Sequence, residues 1–506
     1  MSSLNYNRLA KNTIMLYIRM IFLMLITLYT SRIVLKYLGF DDYGLYNVVG
    51  GIIVFFSFLS TALSGATQRY LSYSLGKKND EYINTVFVTS INLHLLLGGL
   101  VLFLSETIGL WFVECKLNIP IGRESATMIC YQFAVIQTVI GIVRVPYMSI
   151  IISYEKMDVY AMLSIIEAIL KVLIVVLLPL VSYDRLILFS VFTTLAFAII
   201  SAVYIIYCRF SIIPSRYTYK NDKLLLREMF SYSGWSLAGG IANLFRSQGL
   251  NVLFNLFFSV VVNAAMGIAN QVSSAVNSFM SNFSTAYSPQ IVKLCAEGDN
   301  TNFYKLVTEM SKLSFALMTI ICIPLLLNIN LCLDIWLNNY PEYTIEFCVI
   351  VIVSILVDSF SAPLWTALGA IGKIRTYYII LSITGTLVLP VSYLLLKCHY
   401  PPTYCLSLNV LVNLLWLCIR LMLLKRYSGF SVPLFIIRVL LRGIGFFGVS
   451  YFLLFLMQIS ISNMYLDLAI NGIIEISIVG MFCYILYLDN NERDYIVNNV
   501  KKIIRR

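Results

Sequence analysis

Charge is scarce in this sequence: Asp, Glu, Lys and Arg together make up 12% of its 506 residues. Soluble globular chains carry about 25%, so water is not the main solvent here. Catalytic equipment is also thin. The two histidines, His94 and His399, are isolated from any partner that would make a metal site or proton relay. The eleven cysteines include no C-x-x-C pair and no metal-ligand spacing, and read as small apolar helix residues rather than as disulfides or a zinc site. No P-loop ending in Lys-Ser/Thr occurs, which excludes ATP hydrolysis by this chain. No long polar segment could form the extramembrane surface that glycosyl chemistry needs, and nothing implies a cofactor or metal.

Apolar sequence fills the space left by charge. Hydrophobic residues make up 59% of the chain, and the mean hydropathy is +0.84. A bilayer core of roughly 30 Å is crossed by about 20 apolar residues in a helix. Runs of that kind fall at 13 to 35, 44 to 72, 83 to 113, 125 to 150, 159 to 181 and 186 to 208. A second series lies at 229 to 257, 262 to 290, 306 to 330, 345 to 370, 376 to 396, 403 to 424, 433 to 456 and 464 to 488. The expectation is an all-α, polytopic membrane protein of about fourteen spans, with kinks or splits near Pro146, Pro289, Pro324 and Pro363. Arg19 interrupts the first run and no small-residue cleavage site follows, so the first helix is expected to remain as an anchor.

The formal net charge is +11, but the basic residues are parcelled into short loops, which sets aside a nucleic-acid partner. Alternating the spans from an inside N-terminus puts 21 Lys and Arg in inside segments and five (Lys36, Lys116, Arg123, Arg185, Lys397) outside. Positive loops stay cytoplasmic, so the chain is expected in the cytoplasmic (inner) membrane with both termini inside. The longest inner loop, 209–228, carries five basic residues and is the natural linker. It divides an N-lobe of helices 1–6 (1–208) from a C-lobe of helices 7–12 (229–426). Helices 13–14 (427–488) and a cytoplasmic tail (489–506) follow. At an offset of 221 residues, Ser57-Phe58-Leu59-Ser60 falls on Ser278-Phe279-Met280-Ser281. An even number of spans between the copies would keep two six-helix lobes parallel.

Charges at membrane depth cost about 2.5–3.5 kcal/mol on insertion scales and face cavities or partners. Arg19 is mid-span in the first helix and Arg246 in the seventh, the corresponding helix of the second lobe. Two guanidinium groups are therefore expected to face a central cleft. Ser236, Gly240, Asn243, Ser247 and Asn251 recur along one face of the seventh span, and Ser274, Asn277, Ser278, Ser281 and Asn282 along the eighth. Such stripes line a cavity or act as interhelical glue. Arg32, Arg69, Arg438 and Arg442 lie near span ends where they can snorkel, and Arg144, beside Pro146, is similar. Glu167 and Lys171 are spaced for an internal, structural ion pair. Asp358 in the tenth span and Glu475 in the fourteenth are candidates for ion or proton coupling, or else carboxylates hydrogen-bonded to neighbouring hydroxyls.

Leu38-Gly39-Phe40-Asp41-Asp42-Tyr43-Gly44-Leu45-Tyr46-Asn47 follows the first run, and Gln68-Arg69-Tyr70 ends the second. The chain resembles the polysaccharide flippases, the Wzx-type O-antigen and capsule exporters of the multidrug/oligosaccharidyl-lipid/polysaccharide exporter superfamily, in which a Leu-Gly-x-x-Asp/Glu-Tyr/Phe-Gly element follows the first helix. The resemblance implies a MATE-like fold with helices 1, 2, 7 and 8 lining the cleft. It implies that Arg19 and Arg246 bind the pyrophosphate of an undecaprenyl-linked oligosaccharide, with Arg69, Asn243, Asn251, Asn277 and Ser281 also at the substrate. Lipid-linked oligosaccharide and membrane lipids are the implied partners, with polymerase and glycosyltransferases of the same pathway. Drug-exporting relatives carry an acidic residue in the first helix where this chain has Arg19, which favours an anionic substrate. The alternatives are a MATE-type multidrug/cation antiporter and a membrane polysaccharide polymerase.

Overall fold

The computed structural model describes residues 6–116, 119, 122–181, 183–218, 222–258, 260–337, 340–457, 463–489 and 493, and among them no strand occurs. The helices are α1 (Tyr6–Gly76), then α2 (Asp80–Cys115), α3 (Glu124–Ser153), α4 (Met157–Leu180) and α5 (Arg185–Ser211). Next come α6 (Lys223–Phe257), α7 (Val260–Glu297), α8 (Asn300–Leu327) and the short α9 (Ile329–Leu337). The last six are α10 (Thr344–Ser359), α11 (Ala362–Ile371), α12 (Ile374–Lys397), α13 (Pro402–Ser428), α14 (Val432–Leu456) and α15 (Met464–Tyr487). Nine helices among the described residues are long and apolar enough to cross a membrane, or ten with α10 and α11 taken as one bent span. The chain is a multi-pass membrane protein.

The first element departs from expectation. At about 1.5 Å per residue, a straight helix of 71 residues would measure roughly 105 Å, far beyond a bilayer core. It is not straight. Lys11 lies 3.9 Å from Asp158 at the start of α4, and Ser72 donates to the hydroxyl of Ser153 at the end of α3 at 3.0 Å, so both limbs end beside the turn that joins α3 to α4. Midway, Asp42 pairs with Arg123, the residue before α3 begins. Both expected spans are therefore present as outgoing and returning limbs, while the outer loop between them is not a separate non-helical segment.

The chain packs as two compact units, one from Arg8–Leu237 and one from Ala238 onward that also takes in Tyr6 and Asn7, so α6 contributes its first part to one and its remainder to the other. In the N-terminal unit, one apolar core gathers Val34, Val49, Val113, Tyr131 and Leu186 near the Asp42 turn. A second gathers Leu71, Phe87, Ile151, Tyr204 and Met229 at the opposite end.

Left-handed backbone recurs at matching loops of the two halves. The pairs are Lys78 and Gly298, Gly122 and Tyr343, and Glu155 and Gly372, at separations of 220, 221 and 217 residues. The first pair precedes equivalent helix starts, where Asn79 caps α2 through the Tyr82 N–H and Asp299 caps α8 through the Asn302 N–H. The Asn302 side-chain amide, and after it the Asn302 backbone N–H of that cap, hold the Asp299 carboxyl below its ordinary value.

Pro146, Pro289 and Pro324 are accommodated inside continuous helices. The tenth span is the one that splits, by 45° between α10 and α11. Pro363 occupies the first turn of α11, where its missing N–H is tolerated.

Candidate functional site

A cavity of about 290 Å³ opens in the N-terminal unit between α1, α3, α4 and α5, near the lower end of small-molecule pocket volumes of ~300–1,000 Å³. Its walls follow helical periodicity. Arg19, Leu23, Ile26, Thr27 and Thr30 form one face of α1, and Tyr160, Ser164, Glu167, Ala168 and Lys171 form one face of α4. Arg144 and Met148 from α3 and Tyr204 from α5 complete it.

Arg19 lies with its guanidinium 4.4 Å from the centroid of the Tyr160 ring, and its buried Nε makes no hydrogen bond. Glu167 accepts from Arg144 at 2.9 Å and faces Lys171 at 3.4 Å. Arg144 also lies 4.1 Å over the Phe197 ring. The expected Glu167 and Lys171 pair is thus a triad, and Arg144 points into the unit instead of snorkelling to an interface. The hydroxyls of Thr27, Thr30 and Ser164 donate to carbonyls one turn back on their own helices. That leaves cationic groups as the cavity's main donors. Three cations face one carboxylate here, and the low dielectric of a membrane interior strengthens their pull on an anion.

In the C-terminal unit, Arg246 lies 4.8 Å over the Trp416 ring, whose Nε1 donates to Thr384 at 2.9 Å. Asn251 is half-buried on the same helix, whereas the side chain of Asn243 lies outside the described residues. On α7, Asn277 and Ser281 are exposed. The hydrogen bonds of Ser274, Asn277, Ser278, Ser281 and Asn282 run to positions three or four residues back on their own helix. This stripe is satisfied without interhelical glue. Arg69, in the N-terminal unit, is surrounded by the rings of Tyr70, Tyr73 and Tyr232 at 4.7, 5.8 and 4.9 Å.

Both coupling candidates have partners. Asp358 pairs at 2.8 Å with Arg420, a buried α13 residue that also donates to the Tyr377 hydroxyl at 2.9 Å and to Ser361. Glu475 is buried and accepts from the Asn328 amide at 2.7 Å. One turn back along α15, Asn471 donates to Asp467 at 2.8 Å.

Arg420 and Lys312 were not singled out in the sequence. Each is a cation inside an apolar run, and that signal was available. Lys312 is buried on α8 and pairs with Asp489 at 2.9 Å, while Arg442 reaches the same carboxylate at 2.7 Å. Partial burial opposes ionisation of Asp489, but its bonds to Lys312 and Arg442 hold it below the ordinary carboxylate value. Arg123, between Asp42 and Asp184, shifts the opposite way, above its ordinary value: burial works against its charge, and the two carboxylates outweigh it.

No family model and no curated protein matches the chain. Solved structures do. An outward-facing multidrug resistance MATE family transporter of the MOP superfamily is 13% identical, covering 84% of this chain and 96% of its own, with a TM-score of 0.71. A MATE structure in the bent conformation is 14% identical, covers 83% and 96%, and has a TM-score of 0.69. A MOP superfamily transporter from Pyrococcus furiosus, whose reverse binding-pocket polarity suggests a different function for it, is 13% identical, covers 84% and 99%, and has a TM-score of 0.67. The chain has the fold of these transporters, as the all-helical expectation required.

Proposed function

We propose that this chain is a carrier that moves a phosphate-bearing, lipid-linked sugar across the cytoplasmic membrane by alternating access. The substrate in this reading is undecaprenyl-pyrophosphate-linked oligosaccharide destined for O-antigen or capsule. The observation that carries the reading is the charge of the N-terminal cavity. Arg19, Arg144 and Lys171 outnumber Glu167, and the Arg19 Nε is buried without a hydrogen bond. A guanidinium in a low-dielectric site suits phosphate by charge-assisted, bidentate bonding. The fold alone does not choose the substrate, and the polarity of the pocket on it is the better guide.

In this reading Arg19 takes the phosphate. Arg246 and Arg69, each against aromatic rings, are further cationic contacts. Asn243, Asn251, Asn277 and Ser281 supply amides and hydroxyls for sugar hydroxyls, and Asp358 or Glu475 serves ion coupling. The chain makes and breaks no covalent bond, holds no cofactor, and works with the polymerase and glycosyltransferases of its pathway. Both termini are cytoplasmic, from the bias of Lys and Arg among the loops.

The test is export. Arg19→Ala at wild-type protein abundance is expected to abolish surface polysaccharide, and unchanged export would reject the anion site. The second reading, a cation antiporter, is favoured by the fold likeness to a multidrug MATE transporter. Exchange of cationic dyes for protons or sodium by the purified protein in liposomes would establish it.

A further inference from the structure

Glu167 is held by two cations of the same cavity, Arg144 from α3 and Lys171 from its own helix. An acid placed among cations that are meant to bind an anion competes with that anion. We propose that Glu167 is a built-in counter-ion, and that a substrate carrying two linked phosphates is selected because its second phosphate displaces the Glu167 carboxylate from Arg144 and Lys171. This rests on the anion reading above and deepens it, by assigning the preference for a diphosphate over a monophosphate to one residue.

Three observations converge. The Arg144 and Glu167 side chains are each 16% exposed and so are not bulk surface groups. The Glu167 carboxylate spends one oxygen on Arg144 and the other on Lys171, the same two-oxygen pattern that a phosphate would offer. Arg19, by contrast, has no carboxylate partner among the described residues and rests on the Tyr160 ring. The cavity therefore presents one cation ready for a first phosphate and two that already share a single carboxylate. A monophosphate is satisfied by Arg19. Only a ligand with a second anionic centre gains by entering the Arg144 and Lys171 pair, and it must outbid Glu167 to do so. Breaking a buried ion pair is costly because a charge is left uncompensated. The displacement is favourable only when a stronger, more highly charged acceptor takes the carboxylate's place.

The test uses the full-length purified protein with inorganic pyrophosphate and orthophosphate as probes, measured by calorimetry and by ligand-dependent thermal shift. Glu167→Gln keeps the shape and removes the competitor. It is expected to bind both probes at least tenfold more tightly than wild type and to lose the preference for pyrophosphate. Its melting temperature should be lowered in anion-free buffer and recover more on adding anion than wild type does. Equal or weaker anion binding by Glu167→Gln would overturn the proposal. Should Glu167→Gln not fold, Arg144→Gln decides: pyrophosphate affinity should fall tenfold or more while orthophosphate affinity changes little, and an equal fall for both probes overturns it. Arg19→Ala separates the two levels of argument. If Arg19→Ala binds both probes as wild type does, the anion site itself fails; if it loses both and Glu167→Gln gains nothing, only the counter-ion role fails.

Discussion

In the N-terminal unit, Arg19 sits in an open cavity against a tyrosine ring, with a buried nitrogen that makes no hydrogen bond. In the C-terminal unit, Arg420 is packed away with its Nη1 bonded to Asp358 and Ser361 and its Nε to the Tyr377 hydroxyl. Both are guanidinium groups within membrane helices. Bonding separates them: an arginine tied to an acid, a phenol and a hydroxyl on neighbouring helices holds those helices together, whereas one with an unbonded nitrogen beside a cavity is equipped to meet something that arrives.

Four changes would break or sharpen that contrast. Arg420→Met should be the most damaging to stability, by about 3 kcal/mol, because it leaves a carboxylate and a phenol without their cation. Thermal unfolding in detergent reads this, and a stability equal to wild type would mean Arg420 is no clamp. Arg19→Ala should leave melting nearly unchanged and weaken binding of inorganic pyrophosphate roughly 30-fold, about 2 kcal/mol for charge-assisted hydrogen bonds. A collapse in stability without a change in binding would reverse the assignment of roles.

The third concerns Asp489. Its carboxyl lies below its ordinary value in the folded protein, so the stability it confers is complete above the unfolded value of about 3.9 and is lost as pH falls through the folded one. Melting of wild type measured from pH 6 to pH 3 should show this loss and Asp489→Asn should not. Parallel curves would remove Asp489 from the account.

The smallest effect is at the paired loops. Lys78→Gly and Tyr343→Gly should each stabilise by about 0.5–1 kcal/mol, because glycine adopts left-handed backbone without the steric cost of a Cβ. Gly298→Ala and Gly122→Ala, at the matching positions, should cost a similar amount. Chemical denaturation of all four would show whether the halves tolerate the same exchange.

The fold was largely legible because helix length and apolarity are local properties. The expected runs reappear in α2 to α8 and α10 to α15 with ends shifted by a few residues, the short α9 answers to no expected run, and Pro363 marked the one bent span found among the described residues. The two limbs of α1 were legible as separate runs on either side of the Gly39, Asp41, Asp42 and Gly44 segment; what composition did not signal is that the reversal is made within helical backbone. Within the site, the spacing of Glu167 and Lys171 announced their pairing. Arg144 did not announce its part, because the contact joins different helices and a single sequence carries no record of which helices touch. The same reason concealed Arg420 with Asp358, 62 residues apart. The left-handed loop positions escaped because at each site one half uses glycine and the other does not, so neither residue identity nor offset similarity was visible by comparison of letters.

Lys312 and Asp489 are separated by 177 residues, and this distance has a bearing on how the molecule is made. Membrane helices enter the bilayer in the order of synthesis, so the α8 ammonium is delivered well before the carboxylate that neutralises it has been translated. The lysine must spend that interval near water or lipid headgroups. Synthesis of Asp489 then supplies its partner, so this ion pair of the C-terminal unit can close only after 177 further residues have been made.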